Sequence, residues 1–272
     1  MTTGDELADF PSIETAMSEP TAPSAQAATP AVSVVVPVKN ESGNIRPLIN
    51  EIAAALEAKW TFEVIYVDDG SRDETPTELD ELAREYSFLQ VLKHVVSCGQ
   101  SSAVRSGVVA ARAPIVATLD GDGQNDPKFL PDLITALLSA PPTTGLVAGQ
   151  RVARKSGGFK KLQSRIANEV RNMVLKDGAR DTGCGLKAFR RNVFLGLPYF
   201  DGLHRFLPAL FRRDGYDVIY IDVVDRPRGH GKSNYGLLDR LSVGLLDLVG
   251  VWWLIRRRKH IPSVSKVRHD AG

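Results

Sequence analysis

Short apolar runs alternate with amphipathic stretches along the first half of the chain. The apolar runs predict strands at 32–37, 62–67, 89–93, 115–119 and 146–149. The stretches between them have hydrophobic residues at three- and four-residue spacing and predict helices at 44–59, 75–86, 100–111 and 127–138. Strands that alternate with helices of this length form βαβ units, so we predict an α/β fold with a mostly parallel sheet.

The alternation ends after Gly149. We predict an amphipathic helix at 160–175, a glycine-punctuated loop with a short strand at 181–191, a strand at 218–223 and a final helix at 237–255. Residues 1–30 are rich in Ala, Pro, Ser and Thr and have no periodicity. We therefore predict a disordered tail at 1–30, one domain at 31–235 and a flexible tail at 261–272.

The composition excludes several classes of protein. The 272 residues carry a formal net charge of +2, which is too small to attract nucleic acid. The two cysteines show no metal-binding spacing, which argues against structural zinc and favours a reducing compartment. The acidic N-terminus does not resemble a signal peptide, and no apolar window reaches the roughly 18 residues of a membrane span. We therefore expect a cytoplasmic protein that does not cross a membrane by itself.

Two carboxylates follow the predicted strand 115–119, in the segment Asp120-Gly121-Asp122. Mostly parallel sheets bind their ligands at the carboxyl ends of the strands, where this pair lies. Two carboxylates one residue apart can converge on Mg²⁺ or Mn²⁺, which prefer oxygen ligands and substrate phosphates. Gln124 can add an amide oxygen or orient a metal-bound water. The alternative is a simple turn, because Asp and Gly are common turn residues.

Polar residues also follow the first two predicted strands. The first strand runs into Pro37, Lys39 and Glu41, and the second ends at Asp68-Asp69. A carboxylate at this position of a nucleotide-binding sheet suits a ribose hydroxyl or a base edge. A helix cap followed by a glycine turn explains the Asp pair equally well.

These motifs together resemble one family. They are Pro37-Val-Lys-Asn-Glu41, Val67-Asp-Asp-Gly-Ser71, Gly99-Gln100 with Ala103 and Gly107, and Leu119-Asp-Gly-Asp-Gly-Gln-Asn-Asp-Pro127. Their order and spacing resemble the family 2 glycosyltransferases, in the branch of dolichyl-phosphate mannose synthases and bacterial polyprenyl-phosphate glycosyltransferases. The resemblance extends from about residue 32 to about residue 258. It implies a GT-A (Rossmann-like) fold, a nucleotide-diphosphate sugar donor, a divalent metal, a polyprenyl phosphate acceptor and inversion at the anomeric carbon.

The resemblance also assigns roles on the donor side of the site. It implies that the nucleoside contacts Pro37, Lys39, Glu41 and Asp69, although Lys39 stands where a Tyr is frequent in the family. It further implies that the metal and the diphosphate are held by the segment that carries Asp120, Gly121, Asp122 and Gln124.

A polyprenyl phosphate acceptor explains the cations in the second half of the chain. A phosphate monoester is ionised at neutral pH and needs no strong general base, but two anions must be held close together. Arginine grips phosphate through paired hydrogen bonds and lysine acts as a point charge. We expect Arg151 on the donor side, Arg165, Asn168 and Ser233 around the acceptor phosphate, and catalytic roles for Asp122, Arg165, Arg190, Arg228 and Lys232. For any single cation the alternative is a solvated surface residue.

The basic segment after the predicted strand 218–223 matches the family only in part. The family pattern is Arg, two residues, Gly, one residue, then Ser-Lys. Arg228, Gly231 and Ser233 fit it, but Asn234 replaces the lysine and Lys232 would supply its charge. A register shifted by two residues, with Arg226 as the pattern's arginine, stays open.

The final predicted helix carries one apolar stripe and ends in a basic cluster. The stripe consists of Leu238, Leu241, Leu245, Leu248, Trp252 and Ile255. Arg256 to Lys259 follow it directly, and Trp beside basic residues suits an anionic membrane surface. We predict an interfacial segment at 236–260 that docks peripherally on the inner face of the membrane or relies on a membrane-protein partner; a core helix is the alternative.

The function expected from these residues is transfer of a hexose to a polyprenyl phosphate. GDP-mannose is the first expectation for the donor, and UDP-glucose, a UDP-uronic acid or a UDP-aminosugar remain open. A second hypothesis keeps the donor site but replaces the lipid with a polysaccharide or protein acceptor. A third is a nucleotide-binding scaffold without activity, against which the intact carboxylate pair argues.

Overall fold

The computed structural model describes residues 29–152, 171–227 and 237–257, with the backbone alone for 237–245. Several predictions lie outside the described residues. They are the first 28 residues of the tail predicted at 1–30, residues 160–170 of the helix predicted at 160–175, the flexible tail at 261–272, and the roles of Arg165, Asn168, Arg228, Lys232 and Ser233.

A sheet of seven strands forms the centre of the described chain. The strands are β1 (Val32–Val38), β2 (Phe62–Asp68), β3 (Leu89–Lys93), β4 (Ile115–Thr118), β5 (Thr144–Arg151), β6 (Lys187–Arg190) and β7 (Asp217–Val223). Their order is β3-β2-β1-β4-β6-β5-β7, and β6 alone among these strands runs antiparallel to its neighbours. The prediction of a mostly parallel sheet is confirmed.

Helices cover both faces of this sheet. They are α1 (Ile45–Leu56), α2 (Thr75–Glu85), α3 (Gln100–Ala110), α4 (Leu130–Ser139), α5 (Arg191–Leu195), α6 (Leu207–Arg213) and α7 (Leu237–Arg256), and residues 171–175 are also helical. A single 3₁₀ turn, Pro127–Phe129, precedes α4, so the helix predicted at 127–138 starts three residues later. The sequence pattern did not predict α5 and α6, which are too short to show a helical period.

The alternation of side chains in β1 shows how the layers form. Val34 and Val36 are fully buried on the face covered by α1, α2 and α4, whereas Val35 belongs to the opposite core under α3, α5 and α6. Successive side chains of a strand point to opposite faces, so a run of buried valines requires helices on both sides. The result is a three-layer α/β domain.

Close packing of α3 brings its N-terminus to the carboxyl ends of the strands. A Cβ atom at Gly107 would lie 2.4 Å from a methyl carbon of Val35, so only glycine permits this contact between helix and sheet. The helix begins at Gln100, directly after Gly99, which has a φ of +88°. This packing places Gln100 beside the loop that follows β4.

Candidate active site

Two adjoining cavities open at the carboxyl ends of the strands. The larger, of about 960 Å³, is lined by the loops that follow β1, β2 and β3. The smaller, of about 570 Å³, is lined by the end of β4 and by residues from 182–187 and 201–207. Both cavities share Pro37, Gln100 and Asp120. The first carboxylate after β4 therefore lies where the two cavities meet.

The loop after β4 is held in place by its own side chains and by two neighbouring segments. Asn125 accepts a hydrogen bond from the backbone N–H of Asp120 at 2.9 Å, and Asp122 accepts one from the N–H of Gln124 at 3.0 Å. Gln100 Nε2 donates to Asp120 Oδ1 at 2.8 Å. On the other side a Cβ at Gly185 would lie 2.5 Å from Asp120 Cγ, so the absence of a side chain there leaves the space the carboxylate occupies.

The charge of this carboxylate pair is only partly balanced by the protein. Burial raises the pKa of Asp120 to about 6, with a further contribution from the nearby charge of Asp122, while Lys187 and Arg151 act in the opposite direction. Two carboxylates at one loop favour a cation between them. Their oxygen atoms, with the amide of Gln124 in the same loop, fit a hard divalent ion such as Mg²⁺ or Mn²⁺.

Three of the residues predicted to contact the nucleoside line the larger cavity. They are Pro37, Lys39 and Glu41. Lys39 Nζ donates to Ser97 Oγ at 2.9 Å, which links the loop after β1 to the loop after β3. Glu41 accepts a hydrogen bond from Asn44 Nδ2 at 2.8 Å. These side chains form one wall of the larger cavity.

Asp69 also lines the larger cavity, but its carboxylate is fully engaged by the loop after β3. Oδ1 bonds to His94 Nδ1 and to the N–H of Cys98, both at 2.7 Å. Oδ2 accepts from Ser97 Oγ at 2.6 Å and from the N–H of Gly99 at 2.9 Å. Burial alone would raise the pKa of Asp69, yet these donors outweigh it and lower that pKa below its usual value.

In this arrangement the protein itself occupies the acceptors of Asp69, which favours Asp68 over the expected Asp69 as a nucleoside contact. A carboxylate offers about four acceptor positions, and four donors of the protein already occupy them. Asp68 differs, because the N–H of Ser71 bonds to its Oδ1 at 2.9 Å and no described residue donates to Oδ2. Asp68 lines the same cavity. Of the two acids, Asp68 is the one with a free acceptor for a ligand.

The ligand atoms of Asp69, His94 and Cys98 lie within 4.8 Å of one another, a spacing that a metal ion can bridge. Hydrogen bonds alone account for the short distances among these three residues. His94 joins Asp69 through Nδ1 and Ser106 through Nε2, at 2.7 and 3.0 Å. The cluster thus fixes the loop that leads into Gly99 and α3.

Arg151 lies at the end of β5 and lines the smaller cavity. Its guanidinium group bonds to Asp181, with Nη2 at 2.8 Å from Oδ1, and to Asp225, with Nη1 at 3.1 Å from Oδ2. Asp225 also accepts from Asn125 Nδ2 at 3.3 Å. A continuous network therefore joins Arg151 to the residue that holds the backbone of Asp120.

Arg190 lies at the opposite end of the sheet from this site, contrary to the prediction. It pairs with Ile115 at the start of β4, and its Nε donates to the carbonyl oxygen of Thr144 at 2.9 Å. Lys187, at the other end of β6, pairs with Thr118 and lines the smaller cavity. Its ammonium group is buried, donates to the carbonyl of Cys184, and has a pKa lowered by burial.

Arg226 begins the basic segment after β7 and is held away from the cavities. Its guanidinium group binds both carboxylate oxygens of Glu51 on α1, at 3.1 and 2.6 Å. Its backbone N–H donates to the carbonyl of Gln124 at 2.8 Å. This fork-to-fork pair disfavours the shifted register, in which Arg226 would bind phosphate.

The far wall of the smaller cavity carries polar residues that the sequence pattern did not predict. They are Asp201, His204 and Arg205. His204 Nδ1 lies 2.7 Å from Ser101 Oγ on α3. The polar residues within 201–205 interrupt an apolar stretch and could have indicated a site, but their spacing is not typical of any motif.

Comparisons with known proteins show which family this chain resembles over most of its length. The model of glycosyl transferase family 2 matches residues 33–196. Dodecaprenyl-phosphate galacturonate synthase from Rhizobium johnstonii is 33% identical over 232 residues, which are 83% of this chain and 67% of the relative. Undecaprenyl-phosphate 4-deoxy-4-formamido-L-arabinose transferase from Aeromonas hydrophila is 33% identical over 221 residues, with 80% and 66% covered. The chain spans about two thirds of the length of these relatives.

Solved structures share the fold at lower sequence identity. Glucosyl-3-phosphoglycerate synthase from Mycobacterium tuberculosis, in complex with Mn²⁺, UDP and glucosyl-3-phosphoglycerate, has a TM-score of 0.60 and 21% identity, over 84% of this chain and 80% of that one. The same enzyme with Mg²⁺ and UDP gives a TM-score of 0.60 and 22% identity, over 84% and 79%. The likeness confirms the GT-A fold.

Proposed function

Because the chain belongs to the family 2 glycosyltransferases, we propose that it transfers a sugar from a nucleotide-diphosphate donor to a polyprenyl phosphate, with inversion at the anomeric carbon. The observation that carries this proposal is the position of Asp120 at the junction of two cavities. A transferase needs two substrates that meet at one bond, and this junction offers a place for that meeting.

The donor would occupy the larger cavity. The nucleoside lies along Pro37, Lys39 and Glu41, and Asp68 offers its free Oδ2 to a ribose hydroxyl or a base N–H. The diphosphate reaches the loop of Asp120 and Asp122. The larger cavity supports this placement of the donor, because its lining extends from the loop after β2 to the loop of Asp120 and Asp122.

The same loop would hold the divalent cation. Asp120 and Asp122, with Gln124, would be its protein ligands, and the solved relatives of this fold contain Mn²⁺ or Mg²⁺ with UDP. When bound, the cation neutralises charge that develops on the diphosphate as it leaves. Asn125 accepts a hydrogen bond from the backbone of Asp120, and the lack of a side chain at Gly185 leaves space for the carboxylate of Asp120.

The acceptor phosphate would enter the smaller cavity. It is already ionised and attacks without a strong general base, so the protein must align it and balance its charge. Lys187 and Arg205 line this cavity and supply positive charge. The charge of Arg151 is largely offset by Asp181 and Asp225, so Arg151 orders the cavity wall more than it attracts an anion. Arg165, Asn168, Arg228, Lys232 and Ser233 remain proposed ligands outside the described residues.

For the sugar, we favour a UDP-linked uronic acid or aminosugar over GDP-mannose. The relatives are named for galacturonate and for 4-deoxy-4-formamido-arabinose. Both sugars belong to the alternatives that the motifs left open, whereas neither name refers to mannose. GDP-mannose therefore becomes the less favoured donor.

The test is a transfer assay with purified protein, Mn²⁺, undecaprenyl phosphate and separate UDP-galacturonate, UDP-glucose, UDP-aminosugar and GDP-mannose arms. Product is scored as sugar label that moves into the organic phase. We expect transfer from at least one UDP-sugar and loss of transfer with EDTA or in Asp122→Ala. Absence of lipid-linked product from every donor would refute the proposal.

We further propose that α7 rests on an anionic membrane surface. Its exposed side chains Leu246, Val249, Trp252 and Trp253 follow helical spacing, and Arg256 and Arg257 stack over the two tryptophan rings at 4.1 and 5.5 Å. The opposite side, with Val251 and Leu254, packs on the domain. Leu248 and Ile255 of the stripe expected from the sequence also pack there, so of the described stripe residues only Trp252 is exposed. An apolar stripe ending in Trp and Arg suits the interface of an anionic bilayer. Within the described residues, no helix is long and apolar enough to cross one.

Flotation with vesicles of anionic and of zwitterionic lipid tests this second proposal. We expect the protein to float with anionic vesicles, and the double variant Leu246→Ser, Trp253→Ser to remain at the bottom. Leu138→Ser removes an equally exposed apolar side chain from α4 and serves as the matched control. Equal flotation of the double variant and the control would contradict a membrane role for α7.

A further inference from the structure

His204 is an unassigned polar side chain in the smaller cavity, on the segment between β6 and β7. Its ring lines the cavity together with Asp120 and Gln100. Nδ1 lies 2.7 Å from Ser101 Oγ, and the backbone N–H of His204 donates to the same oxygen at 3.3 Å. No described residue forms a hydrogen bond with Nε2. Nε2 is also not one of the fully buried, unpaired polar side-chain atoms of the described residues.

These contacts favour one of the two tautomers of the ring. The backbone N–H of His204 can only donate, so Ser101 Oγ accepts from it. Among the described residues, His204 Nδ1 is the only acceptor recorded for the hydroxyl hydrogen of Ser101, so every donor here is satisfied when Ser101 donates to Nδ1. Because Nδ1 accepts, the single proton of the neutral ring is on Nε2. The ring therefore presents an N–H group to the cavity.

The surroundings keep this ring neutral. Burial is the main cause of a pKa for His204 lowered to about 3, and Lys187 and Arg205 add to the effect. Asp247 on α7 approaches the same segment, since a Cβ at Gly202 would lie 2.8 Å from its Oδ2. Its carboxylate interacts with Arg205, which adjoins His204 in the chain.

We propose that His204 is a substrate-contacting residue that donates a hydrogen bond through Nε2–H to an oxygen atom of a substrate in the smaller cavity. This inference rests on the function proposed above. The oxygen belongs either to a hydroxyl of the transferred sugar or to the acceptor phosphate. Both oxygen atoms can accept a hydrogen bond, and a neutral N–H group can donate one to either of them. A neutral donor with its proton on Nε2 cannot serve as the general base of the reaction.

The tautomer can be measured without any assay of activity. In protein labelled with ¹⁵N-histidine, the ring of His204 is assigned among the five histidines by its absence in His204→Gln. We expect a protonated Nε2 and an unprotonated Nδ1 that stay unchanged between about pH 5 and 8. Ser101→Ala should disturb this signature, whereas Ser102→Ala, on the neighbouring and more exposed side chain, should not. Protonation at Nδ1, or titration near the ordinary value of about 6.5, would overturn the proposal.

Steady-state kinetics then show which substrate carries the oxygen atom that accepts the hydrogen bond from His204. Glutamine can place an amide N–H near the position of Nε2, so we expect His204→Gln to keep kcat/KM within about threefold and His204→Phe to lose about tenfold, the effect of one hydrogen bond. A rise in KM for the nucleotide-sugar indicates a sugar hydroxyl, and a rise for undecaprenyl phosphate indicates the acceptor. Equal kinetics of His204→Phe and the unsubstituted protein would overturn the contact. If the unsubstituted protein transfers no sugar, the proposed function fails while the tautomer measurement still stands.

Discussion

Asp69→Asn replaces one oxygen atom of a saturated carboxylate with an NH₂ group, which donates hydrogen bonds and cannot accept them. Each carboxylate oxygen has two partners in the structure, one on a backbone N–H and one on a side chain. The side-chain partners, His94 and Ser97, can change from donor to acceptor. The backbone partners, Cys98 and Gly99, cannot. In either orientation of the new amide, one backbone N–H therefore loses its acceptor.

The size of the effect follows from this count. An unsatisfied buried donor costs about 1–3 kcal/mol, and the remaining bonds lose the contribution of a charged acceptor. We therefore expect Asp69→Asn to lower the free energy of unfolding by about 2–4 kcal/mol. Asp68→Asn should cost less than about 1 kcal/mol, because its amide oxygen can still accept from the N–H of Ser71.

Two measurements on each variant separate the roles of the two acids. Urea denaturation gives the free energy of unfolding, and calorimetric titration with UDP gives nucleotide affinity. We expect Asp69→Asn to lose stability, and Asp68→Asn to keep stability but bind UDP about tenfold more weakly, as for one lost hydrogen bond to a charged acceptor. Full stability of Asp69→Asn together with a loss of UDP affinity would refute these roles, because Asp69 would then be the nucleoside ligand.

Three further predictions concern the loop of Asp120. In Gly185→Ala the new methyl group would lie 2.5 Å from Asp120 Cγ, so we expect Mn²⁺ affinity in calorimetry to fall at least about tenfold; unchanged affinity would mean that the carboxylate has another place to go. Asp225→Asn cannot accept from Arg151 and Asn125 at once, so Mn²⁺ affinity should fall about threefold to tenfold, and an unaltered value would separate this network from the metal loop. The pKa of Asp120, raised to about 6, predicts that Mn²⁺ binding weakens as the pH falls through that value, and a flat profile of Mn²⁺ affinity would contradict this. The metal-free protein should gain stability over the same range because the partly buried carboxylate is protonated, and a free energy of unfolding that does not change there would contradict it.

The sequence pattern predicted β1, β2 and β4 well because these strands are buried on both faces, whereas β3 lies at the edge of the sheet and is partly exposed. Such strands form continuous apolar runs with clear ends, and β1 to β4 begin and end within one residue of the expected positions. The carboxylate pair stood out for a related reason, because polar residues directly after a buried parallel strand lie at the edge of the sheet where ligands bind. Pro37, Lys39 and Glu41 follow the first strand in the same way and line the larger cavity.

Prediction failed where the direction of a strand is reversed. The carboxyl end of a strand faces the site only if the strand is parallel to its neighbours, and β6 is antiparallel to both. Arg190 at its end is therefore remote, and Lys187 at its beginning is near. The direction of a strand depends on its pairing with strands that are distant in the sequence, and a single short apolar run does not reveal that pairing. The choice between Asp68 and Asp69 likewise depends on contacts distant in the sequence, since only the folded loop after β3 shows which carboxylate it surrounds.

The position of α7 gives the proposed membrane contact and the proposed acceptor cavity a common structural basis. Val251 of α7 belongs to the same buried cluster as Leu207, which lines the smaller cavity together with His204. The exposed stripe lies on the other side of the same helix. A lipid whose phosphate enters this cavity must keep its hydrocarbon chain in the bilayer, so the cavity mouth has to stay close to the membrane. A helix that packs on the cavity wall and exposes Trp and Arg to the outside meets that requirement.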